Sequence, residues 1–246
     1  MLANQRIIAR IDIKGSRLVK GIRFEGQKVY GDAGEFVKKY YEDNADEIIL
    51  IDTVASLYER NSLTEIINFS TKNTFVPMTV EGGIRSVFDA KKILRKGADK
   101  IALNTAATQN KNLIKELSEE LGSQSVVLSI QAKKRSVDTW EVFCLNGRQP
   151  TGLDVVAWAK EVEFLGAGEI ILSSVDQDGT EKGMDFDLIK KLTTIVNIPI
   201  IASSGAHSIE EIKKIIEGTD VSAVAIGKSL HNNNLNIIDI KKKLNL

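Results

Sequence analysis

A repeat does most to narrow what this chain can fold into. Sliding the sequence by 122 residues lays Pro77 on Pro199, Gly83 on Gly205, Ser86 on Ser208, Asp89 on Glu211, Lys91 and Lys92 on Lys213 and Lys214, and Ile93 on Ile215. The same offset carries Glu47-Ile48-Ile49-Leu50 onto Glu169-Ile170-Ile171-Leu172. One constant shift, close to half of the 246 residues, marks an internal duplication. Each copy reads as a short apolar strand, a glycine turn, an amphipathic helix and a second apolar strand, which is a βαβ unit. Strands apolar on both faces, such as Ile48-Ile49-Leu50-Ile51 and Ala223-Val224-Ala225-Ile226, suit a parallel sheet covered on both sides. Two such halves in about 250 residues predict a single (βα)8 TIM barrel, one domain over residues 1–246 with half-barrels at about 1–122 and 123–246. An open doubly wound sheet is the alternative. It would carry G-x-G-x-x-G after its first strand, and the sequence has none.

Composition mainly excludes. The 33 basic and 33 acidic residues balance, so there is no global field to attract nucleic acid or an anionic membrane. No run approaches 18 apolar residues and no signal-peptide pattern opens the chain, which predicts a cytoplasmic protein. The single cysteine, Cys144, excludes an internal disulfide and reads as buried filler. With it, His207 and His231 make no metal cluster, and neither a metal nor an organic cofactor is expected. No G-x-S-x-G nucleophile elbow is present.

Taken in order, the first strand runs from Arg6 to Asp12 and ends on an aspartate at the C-terminal mouth, where βα-loops build active sites; a simple turn cap is the blander role for Asp12. Residues Ile13 to Asp32 are polar and glycine-spaced and carry Lys20, which suggests a mobile lid. Strand two ends in Asp52, and strand three ends at Glu81 before Gly82-Gly83. Strand four leads into Asn104-Thr105, and strand five ends in Gln131. A β-ribbon turned at Asn146-Gly147 is expected after strand five. Strand six is followed by the loop from Val175 to Thr180, with Asp176, Asp178 and Gly179. Gly82-Gly83 recurs in the duplicate as Ser204-Gly205, with Ile226-Gly227 after strand eight. Two opposed phosphate cradles on one mouth follow, although a lone glycine pair is ordinarily only a tight turn. The carboxylates Asp12, Asp52, Asp176 and Asp178, with Gln131 and Lys20, suit proton transfer on a phosphorylated small molecule.

These residues also carry a resemblance. The stretches RIIARIDIKGSRLVKG, GDAGEFVKKYYEDNADEIILIDT, GGIRSVFDAKKILRKGADKIALNTAA, WEVFCLNGRQPTGLD, GAGEIILSSVDQDGT and IPIIASSGA resemble the HisF family, the cyclase subunit of imidazole glycerol phosphate synthase, over the entire chain. The sister isomerase HisA shares the half-barrel repeat but lacks several of these strings. The resemblance implies a barrel that docks a HisH-like glutaminase on its N-terminal face as a heterodimer and takes ammonia through the barrel axis. It places the family's ring of four charges at the tunnel entrance on Arg6, Glu47, Lys100 and Glu169, for which a structural ion-pair layer is the other reading. Asp99 and Gln124 match positions at the glutaminase face, and Gly82, Asn104, Thr105, Asp178, Gly179 and Gly205 match the phosphate sites.

The mouth departs from the pattern. The family's two catalytic carboxylates fall at Asp12 and at position 131, where this chain has Gln131. An amide exchanges no proton near neutral pH, and losing a general acid or base costs about 10²–10⁴-fold in rate. Glu81 stands where the family has a glycine, putting a carboxylate beside a phosphate cradle, and Ile226-Gly227 replaces an Ala-Ser pair and its hydroxyl. Second copies of HisF and HisH occur in bacterial surface-polysaccharide clusters, supplying ammonia to an amidotransferase that builds acetamidino sugars. This chain resembles those copies in lacking the carboxylate. The expectation is thus a HisF-like ammonia-transfer subunit with an altered cyclase site, delivering to a sugar amidotransferase. An active cyclase of histidine biosynthesis, with another mouth group such as Asp178 in place of the missing partner, is the alternative.

Overall fold

A computed structural model describes residues 5–55 and 63–246. Its strands are β1 (Arg6–Lys14), β2 (Arg17–Ile22), β3 (Glu25–Asp32), β4 (Glu47–Asp52), β5 (Met78–Glu81), β6 (Lys100–Leu103), β7 (Val126–Ser136), β8 (Thr139–Cys144), β9 (Gln149–Asp154), β10 (Glu169–Ser174), β11 (Ile200–Ser203) and β12 (Ala223–Ile226). Helices are α1 (Ala33–Glu42), α2 (Leu63–Asn73), α3 (Val87–Leu94), α4 (Thr105–Gln109), α5 (Asn112–Leu121), α6 (Val155–Phe164), α7 (Phe186–Thr193), α8 (Ile209–Gly218), α9 (Lys228–His231) and α10 (Ile237–Leu244).

Eight strands pair in parallel in the order β1, β4, β5, β6, β7, β10, β11, β12, and β12 returns to β1. These eight strands therefore close into a barrel, leaving edges only on the ribbons that extend it, at β3 and β9. Ile8 lies opposite Glu47 and Val127 opposite Glu169; further up, Asp12 faces Ile51 and Gln131 faces Ser173. Glu47 and Ile51 are the repeat partners of Glu169 and Ser173, so Asp12 and Gln131 hold equivalent places in the two halves.

Alternation along the strands separates two cores. Outward side chains such as Ile7, Ile48, Leu50, Val80, Ile101, Leu128, Ile170 and Leu172 pack beneath the helices. Inward ones, Ile8, Ile49, Ile51, Ala102, Val127, Ile171, Ile201, Ala223 and Ala225, fill the barrel's waist. Each fully buried isoleucine contributes about 1.5–3 kcal/mol. Helix starts carry the duplication too: Asp32 and Asp154 cap α1 and α6, and Ser86 and Ser208 cap α3 and α8, each through its side-chain oxygen.

Residues Ile13 to Asp32, where a mobile lid is expected, carry regular structure: β2 and β3 form an antiparallel ribbon that continues β1. The glycines there read as loop spacing, yet Leu18 and Val19 are buried beneath the ribbon, and that apolar pair anchors it. In the other half β8 and β9 make the equivalent ribbon on β7, turning through Leu145, Asn146 and Gly147, all at positive φ. Among the described residues no helix is long and apolar enough to cross a membrane.

Candidate active site

The floor of the barrel is built from the first inward residue of four strands. Arg6 donates to Glu47 at 2.6 Å and to Glu169, and Lys100 donates to Glu47 at 3.1 Å and to Glu169 at 2.8 Å. Each cation touches both carboxylates, so the four charges form one closed alternating ring around the axis. Glu47, 1 % exposed, also accepts from Thr79 Oγ1 at 2.6 Å. Buried charge is tolerated only when it is matched in this way. Burial alone would lower the Arg6 pKa, but Glu169 and Glu47 outweigh it and raise the value. Asp99 and Gln124 are exposed on the same face; Asp99 accepts from the Met78 amide at 2.8 Å and Gln124 donates to the Leu121 carbonyl at 3.2 Å.

At the opposite end Asp12 is 3 % exposed and clamped between two cations, with Arg10 Nε at 2.8 Å and Lys20 Nζ at 2.6 Å. Burial on its own would raise the carboxyl's pKa; Arg10 and Lys20 together overturn it and hold Asp12 well below the usual carboxylate range. Lys20 also reaches Asp178 at 3.0 Å, and Asp178 accepts from Ser204 Oγ at 3.0 Å. Across the mouth, Gln131 Oε1 accepts from the Gly147 amide at 2.6 Å. Ribbon β2–β3 thus delivers Lys20 to Asp12, and ribbon β8–β9 delivers Gly147 to Gln131.

A model of the histidine biosynthesis protein family matches residues 6–236. Imidazole glycerol phosphate synthase subunit HisF of Legionella pneumophila is 53 % identical over 210 residues, covering 85 % of this chain and 99 % of that protein. The HisF subunits of Streptococcus mutans and Sulfurisphaera tokodaii are 40 % and 42 % identical over 243 and 240 residues, 99 % and 98 % of this chain and 97 % and 95 % of those proteins. The chain belongs to the HisF family.

In this HisF-family barrel the mouth carries two clefts, one per half. The first, about 120 Å³, is lined by Gly82, Gly83, Asn104, Thr105, Gln131 and Glu81, with Asp52 at its edge. Asn104 donates to the Ser129 and Phe143 carbonyls, and Thr105 Oγ1 accepts from the Leu145 amide, so both side chains are already fixed. The second, about 20 Å³, lies among Lys20, Asp178, Gly179, Gly205, Gly227 and Lys228. Lys228 Nζ donates to the Gly179 carbonyl at 2.6 Å and occupies room that a ligand would need. Repeat partners Gly83 and Gly205 both sit at positive φ, 71° and 95°, and a Cβ at 205 would lie 2.1 Å from the Gly183 carbonyl oxygen.

Asp52 and Asp176 stand apart from this chemistry. Asp52 accepts from the Val54 amide in a local turn, and Asp176 accepts from the Lys134 amide, tying the loop after β10 to β7. His207 is exposed and paired with Glu211, whereas His231 is buried with Tyr40 Oη 2.6 Å from its Nδ1. Burial lowers the His231 pKa to about 3, leaving it neutral.

Two residues escaped sequence reasoning. Arg10, 3 % exposed, lies between the apolar waist and the mouth and bonds Asp12, Ser173 and Ser203, the last two at 3.1 Å. Its alternation with Ile8 and Asp12 placed it inside the barrel, and a charge at such a position was the signal. Glu81, 7 % exposed, was read only as an obstacle to phosphate. Burial pushes its carboxyl up to about 7, with Arg10 and a Ser129 hydrogen bond opposing and Asp12 adding to the rise.

Proposed function

We propose that this chain is the ammonia-accepting synthase subunit of a glutamine amidotransferase pair. A HisH-like glutaminase docks on the N-terminal face, and ammonia enters through the ring of Arg6, Glu47, Lys100 and Glu169. The observation that carries this is the closure of that ring at the floor of a barrel whose waist is apolar. Charges of both signs in balance repel no neutral molecule, and an apolar waist holds back ammonium more than ammonia. Phe75, just after α2, and Phe164, the last residue of α6, are 82 % and 89 % exposed at the helix ends that lead back to that same face, and suit a partner's apolar contact. Asp99 and Gln124 lie at the rim of the proposed interface.

The mouth binds a phosphorylated small molecule, with Gly82, Gly83, Asn104 and Thr105 in the roomier cleft. Asp178, Gly179, Gly205 and Gly227 form the smaller one, which opens when Lys228 turns away. Asp12 and Lys20 face the ligand between them. Cyclase chemistry is slowed because Gln131 cannot exchange a proton and Asp12 is held ionised by its two cations. Ammonia then passes to a sugar amidotransferase. Mixing the pure chain with the phosphoribosyl aminoimidazole precursor and ammonium salt, without glutaminase, tests this. Turnover at the ordinary family rate, lost on Asp12→Asn, overturns the transfer reading.

A second reading, an active cyclase of the kind named for the relatives, is favoured by one observation. The roomier cleft still holds a buried carboxyl that changes charge near neutral pH, although it sits on β5 and not on β7.

A further inference from the structure

The carboxylates of the mouth differ in what they are free to do. Asp12 gives its oxygens to Arg10 and Lys20, and Asp178 Oδ2 serves Lys20 and Ser204; Asp178 Oδ1 accepts no hydrogen bond among the described residues, but its carboxylate is held by the cations of Lys20 and Arg10. Glu81 differs. It ends β5 opposite Ile51 and Ala102, in the same wall as Gln131, and lines the cleft that holds Gly82, Gly83, Asn104 and Thr105. It is more than nine-tenths buried, Ser129 engages its carboxyl, and its Oε2 has no hydrogen-bond partner among the described residues. A buried carboxyl oxygen left without a partner is costly unless a ligand supplies one.

We infer that Glu81 is a catalytic acid/base of this mouth, exchanging protons through Oε2 with a phosphorylated ligand seated over Gly82, Gly83, Asn104 and Thr105. The inference rests on the second reading above, that the mouth keeps chemistry of its own. When ammonia adds to an electrophilic carbonyl carbon of the ligand, a C–N bond forms and the nitrogen carries one proton too many. Glu81 takes that proton and becomes a neutral acid. The same O–H then protonates the carbonyl-derived oxygen, giving a carbinolamine and restoring the carboxylate; a second proton passes from the nitrogen through Glu81 to that hydroxyl, which leaves as water as the C=N bond forms, and Glu81 is a carboxylate again. No oxidant or reductant enters.

The surroundings fit a group that cycles. Arg10 and Asp12 on β1, Asp52 at the end of β4 and Arg85 beyond Gly83 are the charged groups facing the cleft or the carboxyl among the described residues, with Ser129 and Gln131 on β7 among the polar ones. No cation pairs directly with Glu81 among the described residues, so nothing locks it in one form, and burial sets it near 7. The neutral form also removes the repulsion that a fixed carboxylate would exert on a neighbouring phosphate.

The test is the pH dependence of ammonium-driven turnover of the aminoimidazole precursor by the full chain, with Glu81→Gln, Glu81→Asp and Asp12→Asn. Wild type should show kcat/KM rising with pH through about 7. Glu81→Gln should lose that limb and about 10²–10⁴-fold in rate, while Glu81→Asp keeps part of the rate on a shifted limb. Because a buried substitution could unfold the barrel, carboxyl infrared difference spectra run alongside. A protonated C=O band that titrates near 7 in wild type should vanish in a Glu81→Gln protein whose far-ultraviolet circular dichroism is unchanged, and its persistence overturns the assignment. Wild-type turnover that survives Glu81→Gln overturns Glu81 and spares the second reading. Absence of turnover in wild type overturns both.

Discussion

Gln131 and Asp12 hold matching places in the two half-barrels, and the difference between them is chemical. The Gly147 amide that Gln131 accepts from at 2.6 Å would equally stabilise a carboxylate. Gln131→Asp is therefore expected to fold and to raise ammonium-dependent cyclase turnover by about 10²–10⁴-fold, measured as product formation without glutaminase. His231 gives a second prediction at this scale. Its pKa falls from 6.5 to about 3 on folding, so between those values the unfolded chain binds a proton that the folded chain refuses. Stability from this group is full above 6.5 and is lost as pH falls toward 3, by about 2 kcal/mol at pH 5. Urea unfolding at pH 8 and pH 5 should show His231→Gln losing about that much less than wild type. Glu81 has the opposite sign: raised to about 7, it penalises folding increasingly as pH climbs from 4.5.

Helix caps and ribbons make the element scale partly legible in sequence. Asp32 and Asp154 share the repeat offset, Asp32 accepting the Gly34 and Glu35 amides and Asp154 the Ala157 amide of the first turn. Replacing either by alanine should cost about 1 kcal/mol in denaturant unfolding, and the two losses should add, because the caps serve separate helices. Strand β10 runs from Glu169 to Ser174 and β12 from Ala223 to Ile226, as their apolar runs indicate. The strand pairing within residues 13–32 went unread because ribbon strands with one wet face and bends at Gly15 and Gly26 have the composition of a loop. Only the burial of Leu18, Val19 and Lys20 separates the two, and burial depends on what lies beneath. Short helices such as α4 and α9 were invisible for a similar reason, being too short for a period to register.

For the whole molecule, the duplication made the barrel and its two-ended organisation readable, since a closed (βα)8 barrel has one mouth and one floor. What the sequence could not supply was distance. Arg6, Glu47, Lys100 and Glu169 span 163 positions between the first and the last, and only barrel closure brings Arg6 against Glu169. Arg10 and Glu81 became legible as site residues only once burial and neighbours were known. Removing Lys100 as Lys100→Met leaves two carboxylates with one cation, and should lower unfolding free energy by about 3 kcal/mol. Phe75→Ser with Phe164→Ser should weaken binding of a HisH-like glutaminase at least tenfold by titration calorimetry, and leave the melting temperature within a few degrees.

The floor also constrains how it can move. Both acids are shared by both bases, so no side chain there can swing aside while its neighbours stay satisfied. Such a latch is collective: drawing Lys100 away leaves Glu47 and Glu169 to Arg6 alone, so displacing a single lysine rearranges all four side chains.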